Sequence, residues 1–173
     1  EETLELSKLE SSEAFNKNKK ISISDLVMES WQTLKPLAEK KDIKINLLIP
    51  TKYFISADIE NLKRAFINIL DNAIRYSPAN EEIQIEIFKR DSSVVMRVRD
   101  KGIGLEENEF NDIFSRFYRG DPSRTKFKKS GSGLGLSITK KIINNNKGFI
   151  KAFNHKDGGA IIETIFPCIN EDL

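Results

Sequence analysis

The sequence predicts an α+β fold: a two-layer α/β sandwich with a mixed, mostly antiparallel sheet, three helices on one face and one long loop. Two patterns support this prediction. In some segments apolar residues alternate with polar ones, which is typical of strands with one buried face. In others they recur at every third or fourth position, which is typical of amphipathic helices. With 173 residues, 39% of them hydrophobic, the chain suits a single domain with a substantial core.

Five alternating segments predict the main strands. They are residues 43–49, 83–87, 94–98, 149–154 and 160–166. The second and third flank a turn at 90–93 and therefore form a hairpin, and the last two flank a turn that contains two glycines. Short strands are also predicted around Ile21 and Ile23 and at residues 53–57.

Three helices are predicted from the apolar spacing. Ser24 is the expected N-cap of the first. The second follows the N-cap Asp58 and ends before Pro78, and the third covers about residues 133–146. Residues 101–132 contain no long periodic run, and a loop of this length inside a domain is usually either functional or a sign that an element has been wrongly assigned.

The N-terminal residues differ from the rest in composition. Residues 1–15 place three leucines among many glutamates and are expected to be the end of a longer helix. A polar linker at 16–20 and the domain proper at 21–170 follow. The first residues lack the basic stretch of a signal peptide, and no run of eighteen apolar residues is present.

Composition excludes several classes of function. A net charge of +2 is too small to indicate general nucleic-acid binding. The only cysteine, Cys168, excludes an internal disulfide. The only histidine, His155, cannot form a clustered metal site with it.

A polar stripe lies on the second predicted helix. Asn68, Asn72 and Arg75 share one face because four and three residues separate them. Asparagine is a poor helix former. Amide oxygens followed by a cation suit a metal ion and the phosphates that it neutralises. A solvated helix face is the alternative for this motif alone.

A first glycine cluster follows the predicted hairpin. Asp100 follows the second strand of the hairpin and precedes Gly102 and Gly104. Glycines allow the backbone to turn tightly and approach a ligand, and the carboxylate could accept a hydrogen bond from the amine of adenine. An ordinary Asp-x-Gly turn is the alternative.

A second glycine cluster opens the third helix. It comprises Gly131, Ser132, Gly133, Leu134, Gly135 and Leu136. Backbone N–H groups at a helix N-terminus attract anions. The spacing is neither the dinucleotide fingerprint nor a P-loop. The cluster therefore indicates a phosphate site, with a structural hinge as the alternative.

Aromatic residues and arginines alternate within the long loop. The segment comprises Phe114, Ser115, Arg116, Phe117, Tyr118 and Arg119. Aromatic side chains could anchor a mobile loop while arginines face phosphates. A small satellite core with solvated arginines is the alternative.

In this order, the four motifs resemble those of the catalytic ATP-binding domain of bacterial two-component sensor histidine kinases. Residues 68–77 resemble the asparagine box of that family and 100–104 its first glycine box. Residues 114–119 resemble the phenylalanine box and 131–136 the second glycine box. The wider group includes DNA gyrase, MutL, the heat-shock chaperone ATPases and anti-sigma-factor kinases. The resemblance covers about residues 21–167.

The resemblance implies ATP and Mg²⁺ as cofactors and a role for each motif residue. Asn72 would ligate Mg²⁺ with the help of Asn68, and Asp100 would bind the adenine amine. Arg75 would face phosphate and Arg119 would approach the γ-phosphate. The other implied nucleotide-binding residues are Tyr76, Gly102, Gly104, Arg116, Tyr118, Gly131, Ser132, Gly133, Leu134, Gly135 and Leu136.

Position 68 separates two chemistries of the wider group. ATP-hydrolysing members have glutamate there, whereas this chain has Asn68, whose amide cannot act as a general base. The resemblance thus implies that the γ-phosphate is presented to a protein nucleophile beneath a lid of about residues 105–130. In the family that nucleophile is a histidine of a separate dimerisation and phosphotransfer domain, and residues 1–15 resemble the end of its second helix.

The implied function is that of the ATP-binding half of a protein histidine kinase, which does not phosphorylate itself when alone. The implied partners are the histidine-bearing domain and a response regulator, without nucleic acid or membrane contact. We expect a monomeric fragment of a homodimeric, membrane-anchored sensor, located in the cytoplasm. The alternatives are an anti-sigma-factor-type serine kinase and a nucleotide-sensing module without phosphotransfer.

Overall fold

The computed structural model describes residues 18–118 and 133–169. The strands are β1 (Lys19–Ser22), β2 (Lys44–Leu48), β3 (Phe54–Ala57), β4 (Glu82–Arg90), β5 (Ser93–Arg99), β6 (Phe149–Asn154) and β7 (Ala160–Pro167). The helices are α1 (Ile23–Glu39), α2 (Ile59–Tyr76), α3 (Glu109–Asp112) and α4 (Gly135–Asn145). The helix expected at residues 1–15 lies outside the described residues.

The main sheet has five strands in the order β2-β4-β5-β7-β6. Only β2 and β4 pair in parallel, and the other pairs are antiparallel. Helix α2 packs between α1 and α4 and contacts β5, while α4 contacts β6. The predicted α+β sandwich is therefore confirmed, with the helices covering one face of the sheet.

The core lies between the helices and that face. Phe66 of α2 meets Phe166 of β7 edge to face, with ring centroids 6.4 Å apart. Alternate residues of β4 and β5 point toward the helices and are fully or almost fully buried, as the alternation predicts. In the described part of the chain, no helix combines the length and apolar character needed to cross a membrane.

Two short strands form a separate sheet, which the sequence did not indicate. β1 and β3 pair with each other rather than with the main sheet. β3 also contacts β7, and just beyond the end of β7 the N–H of Ile169 donates a hydrogen bond of 2.8 Å to the carbonyl of Phe54. Alternation identifies a strand, but pairing depends on which edge the tertiary fold brings near.

The N-cap prediction for the first helix was wrong by two residues. Ser22 is the N-cap, and its Oγ accepts a hydrogen bond of 3.3 Å from the Asp25 N–H. Ile23 therefore begins the helix instead of ending a strand. Serines occupy both positions, so composition alone did not distinguish them. The prediction that Asp58 caps α2 is confirmed, because its Oδ1 accepts from the Asn61 N–H at 3.0 Å.

A buried asparagine joins α2 to α4. Asn146, which is 2% exposed, accepts a hydrogen bond of 2.8 Å from the Asp58 N–H. Its Nδ2 donates to the carbonyl of Ile142 at 2.8 Å. The side chain thus ties the end of α4 to the start of α2, so that the two helices run antiparallel.

We expect Asn146→Ala to destabilise the domain by about 1–3 kcal/mol, because it leaves a buried N–H group of Asp58 without its partner. Urea unfolding followed by circular dichroism measures the change. Asn144→Ala is the matched control, since Asn144 is exposed on the same helix and its replacement should change stability by less than about 0.5 kcal/mol. Equal stability of the two variants would contradict the structural role.

Candidate functional site

Asn68 of α2 faces the first turn of α4. Its Nδ2 donates to the carbonyl of Gly135 at 3.3 Å and lies 3.4 Å from Thr139 Oγ1. The hydroxyl of Thr139, itself buried, donates to the same carbonyl at 2.9 Å. Both contacts use the nitrogen of the amide, which leaves Asn68 Oδ1 for a ligand.

Asn72 lies one turn further along the same helix face. It is half-buried. Its side chain forms no hydrogen bond with the described residues. Since an amide oxygen is a ligand for Mg²⁺, this arrangement suits the predicted role. Among the described residues no group of three or more His, Cys, Asp or Glu side chains could hold a metal.

The end of α2 carries the other two residues of the predicted stripe. Arg75 Nε contacts Asp71 Oδ2 at 2.6 Å in an exposed ion pair along the helix. Tyr76 is exposed beside it. In this structure Arg75 therefore binds a neighbouring carboxylate, and a phosphate contact would require the guanidinium to leave or share it.

Asp100 lies at the end of β5, where its carboxylate is held by backbone groups. Asp100 Oδ1 accepts hydrogen bonds from the N–H groups of Gly102, at 2.8 Å, and Ala160, at 2.9 Å. Burial raises the pKa of the Asp100 carboxyl above its ordinary value, although these two N–H groups and Arg99 act in the opposite direction. Both described bonds go to one oxygen, so Oδ2 can accept from a ligand.

Gly102 and Gly104 are required by close approaches. A Cβ on Gly102 would lie 2.9 Å from the carbonyl oxygen of Tyr76. Gly104 has φ +76°, and a Cβ there would lie 2.8 Å from Asn154 Oδ1. The loop that begins at Asp100 is thus packed between the end of α2 and the end of β6.

The aromatic segment divides into buried and exposed members. Phe114 is buried, whereas Phe117 is 64% exposed and has φ +62°. The Tyr118 hydroxyl donates to Glu109 Oε1 at 2.6 Å, and Arg116 is exposed. Tyr118 therefore joins the loop to α3. Phe114 belongs to the main hydrophobic core rather than to a separate satellite core, so it anchors this segment to the domain.

Gly133 and Tyr118 meet at the two described ends of the long loop. Gly133 has φ +74°, and a Cβ on it would lie 2.9 Å from the Tyr118 carbonyl oxygen. This backbone conformation places Gly133 outside the helix predicted to include it, and α4 begins at Gly135. Arg119, Gly131 and Ser132 lie outside the described residues, as does most of the predicted lid.

The first turn of α4 presents N–H groups. Its N-cap, Leu134, is buried and offers no side-chain acceptor. The N–H groups of the first turn, which includes Gly135 and Leu136, have no acceptor within the helix. Together with the helix dipole they form a site for an anion next to Asn68.

Several residues that shape the site were missed in the sequence. They are Lys41, Ser77, Thr139 and Asn154. Lys41 Nζ donates to the carbonyls of Ile74 and Ser77 at 2.8 and 2.6 Å, which caps the end of α2. Each of them either contacts residues that lie far away in the chain or is a residue type that occurs throughout proteins. No local pattern in the sequence therefore predicts its role.

We expect the Tyr118 phenol to stay protonated in the folded protein at pH about 11, because burial and Glu109 raise its pKa well above the ordinary value of 10.0. Absorbance at 295 nm should then rise equally for the wild type and Tyr118→Phe when both are folded. In denaturant the variant should show about two-thirds of the wild-type rise, since the chain has 3 tyrosines.

The stabilisation that this proton provides has a defined sign. The fold holds the proton more tightly than the unfolded chain does, so the contribution is complete below pH about 10 and declines as the pH rises further. A larger absorbance rise in folded wild type than in folded Tyr118→Phe would contradict the Tyr118–Glu109 contact.

Comparison with known proteins identifies the family. Residues 57–169 match the family described as histidine kinase-, DNA gyrase B-, and HSP90-like ATPase. Sensor protein SphS of Synechococcus elongatus is 33% identical over 174 residues, which cover 96% of this chain and 42% of SphS. Sensor-like histidine kinase SenX3 of Mycobacterium tuberculosis is 30% identical over 170 residues, which cover 98% of this chain and 41% of SenX3.

A solved structure shows the same fold. Histidine kinase ThkA, in a crystal structure with the response regulator protein TrrA, superposes with a TM-score of 0.74 at 23% identity. The match covers 99% of this chain and 50% of ThkA. This chain spans about two-fifths of the length of SphS and SenX3. With the asparagines, Asp100 and the glycine-lined helix start in place, the chain belongs to the histidine kinase-, DNA gyrase B- and HSP90-like ATPases, as a catalytic ATP-binding domain of the sensor histidine kinase type.

Proposed function

We propose that this domain binds Mg-ATP between α2, α4 and the Asp100 loop and presents the γ-phosphate to a histidine of a partner domain. ATP binding follows from the family, and the finer assignment rests chiefly on Asn68. Its amide lies beside the first turn of α4, where a phosphate chain would be bound, and an amide cannot activate water. Such a site holds the nucleotide without hydrolysing it until a protein nucleophile arrives.

The base would bind at Asp100. Oδ1 is occupied by the N–H groups of Gly102 and Ala160, which orients Oδ2 as an acceptor for the adenine amine. Guanine has a carbonyl oxygen at that position, which an ionised carboxylate repels. Asp100 would therefore select ATP over GTP.

The metal would be held by amide and phosphate oxygens. Within the described part of the chain, no hydrogen bond occupies the side chain of Asn72 or the Oδ1 of Asn68 on the same helix face. These neutral oxygens fit Mg²⁺, which usually keeps several waters and binds through substrate phosphates. When bound, the ion neutralises the charge of the β- and γ-phosphates.

The phosphates would contact α4 and the arginines. The N–H groups near Gly135 and Leu136 support this assignment. The earlier residues of the second glycine cluster, Gly131 to Gly133, would add further N–H groups to the phosphate site. Arg119 would neutralise the γ-phosphate, with Arg75 and Arg116 as further cations. Tyr76 and Tyr118 would border the nucleotide.

The phosphate acceptor would be the histidine-bearing dimerisation and phosphotransfer domain of the parent protein, and a response regulator would act downstream. Residues 1–15 would be the remnant of that domain. The linker predicted at 16–20 would be shorter than predicted and the domain predicted at 21–170 would begin earlier, because Lys19 and Lys20 already belong to β1. The parent would be a homodimeric membrane-anchored sensor with this domain in the cytoplasm. The likeness to SenX3, a sensor-like histidine kinase, supports the sensor-kinase part of this proposal.

We expect Asn72→Ala to weaken Mg-ATP binding by at least about tenfold, or about 1.4 kcal/mol, because a metal ligand is lost. Isothermal titration with Mg²⁺ and with EDTA measures the change, and the variant should bind ATP almost equally in both. Asn61→Ala, about 16 Å away on α2, is the matched control and should bind as the wild type does. If Mg²⁺ still strengthens ATP binding to Asn72→Ala as in the wild type, the ligand assignment is wrong.

Incubation with γ-labelled Mg-ATP tests the proposed phosphotransfer. We expect no stable label on this chain alone, and acid-labile label on the parent's histidine-bearing domain when that domain is added. The same domain with its histidine replaced by glutamine should stay unlabelled. Acid-stable label on serine would indicate a serine kinase, no transfer would indicate a nucleotide-sensing module, and label on this chain alone would refute the assignment.

A further inference from the structure

The tip of the β6–β7 hairpin contacts the far end of the Asp100 loop. Asn154 Oδ1 accepts a hydrogen bond of 2.8 Å from the Leu105 N–H, and its Nδ2 donates to the Leu105 carbonyl at 2.7 Å. One side chain thus pairs with both backbone groups of a residue, as a neighbouring strand would. A Cβ on Gly104 would lie 2.8 Å from Asn154 Oδ1, so the amide of Asn154 packs directly against the loop.

The same hairpin tip contacts the near end of the loop. The Asp100 N–H donates a hydrogen bond of 3.0 Å to the Ala160 carbonyl, and the Ala160 N–H donates to the Asp100 carboxylate. Gly159 has φ +82°, and a Cβ on it would overlap the Asp100 carbonyl oxygen. The Arg99 guanidinium donates to the Gly158 carbonyl at 3.1 Å and lies 3.3 Å from His155 Nε2, so it fixes the turn from the other face of the sheet.

We propose that Asn154 and Arg99 are positioning residues that hold the loop between Asp100 and Leu105 in the conformation that recognises the base. This inference rests on the proposed adenine contact of Asp100. The direction of Asp100 Oδ2 depends on the N–H groups that occupy Oδ1, one from the loop and one from the hairpin tip. Asn154 and Arg99 connect these two elements at opposite ends.

The middle of the loop needs this support. Ile103 at its apex is 60% exposed, so packing does not hold it. If the loop is already ordered before the nucleotide arrives, binding does not have to supply the free energy of ordering it. The affinity for the nucleotide is therefore higher. Loss of either anchor should therefore weaken binding of the base without changing the contacts of the phosphates.

The test compares three ligands on variants of the whole chain. Asn154→Ala removes both bonds to Leu105, and Arg99→Gln removes the cation from the turn. By calorimetry we expect each substitution to weaken ATP binding about five- to tenfold. The affinity for inorganic tripolyphosphate should stay within about twofold of the wild-type value. Titration with GTP measures the preference for adenine over guanine. We expect the ratio of ATP affinity to GTP affinity to fall in both variants. Lys156 is exposed in the same turn and forms no side-chain hydrogen bond or ion pair with the described residues, so Lys156→Ala should match the wild type.

Asp100→Asn distinguishes failure of this inference from failure of the proposed function. In the Asp100→Asn background, the additional substitution Asn154→Ala should weaken ATP binding by no more than about a further twofold, because the adenine contact is already lost. If Asp100→Asn keeps wild-type ATP affinity and base preference, the proposed base site falls and this inference with it. If Asp100→Asn loses them but Asn154→Ala and Arg99→Gln match the wild type, only this inference falls. Equal weakening of ATP and tripolyphosphate in the two variants also overturns it, since that indicates general loss of structure.

Discussion

The antiparallel packing of α2 against α4 is the constraint on which the site depends. Two asparagine side chains bridge these helices, one at each end of α4. Asn146 joins the end of α4 to the Asp58 N–H, and Asn68 contacts its first turn at Gly135. Because the helices are held in this register, the N–H groups that begin α4 lie beside the amides of α2. A shift by one turn, about 5 Å, would separate the anion site from the metal ligands.

The base end of the site is assembled at the C-terminal end of β5, the central strand of the main sheet. Ser77, buried after α2, accepts a hydrogen bond of 3.1 Å from the Lys101 N–H. Lys41 caps the same helix end, where burial lowers the pKa of its ammonium but the helix dipole favours a cation. The Asp100 loop is thereby held by α2 on one side and by the β6–β7 hairpin on the other. Rigid elements on both sides allow one carboxylate to face a ligand in a defined direction.

Much of the fold could be predicted because its signals are local. Strand alternation and helical spacing identified the five strands of the main sheet and three helices, since each pattern reflects the burial of one face. The start of α1 was misplaced from Ser22 to Ser24, because either serine can cap and only packing decides which does. The β1–β3 sheet was missed for a related reason: pairing is set by edges that meet in space.

The candidate site shows the same division. Asn68, Asn72 and Asp100 could be predicted because metal, base and phosphate chemistry require particular side chains at spacings that one helix or one turn can present. Contacts between residues far apart in the sequence could not be predicted. Asn154 and Leu105, for example, are separated by 49 positions. The sequence by itself determined which groups can bind a nucleotide. Only the tertiary structure decided which side-chain atoms of Asn68 and Asp100 are left for it, because residues distant in the chain, Gly135 and Ala160, bind the other atoms.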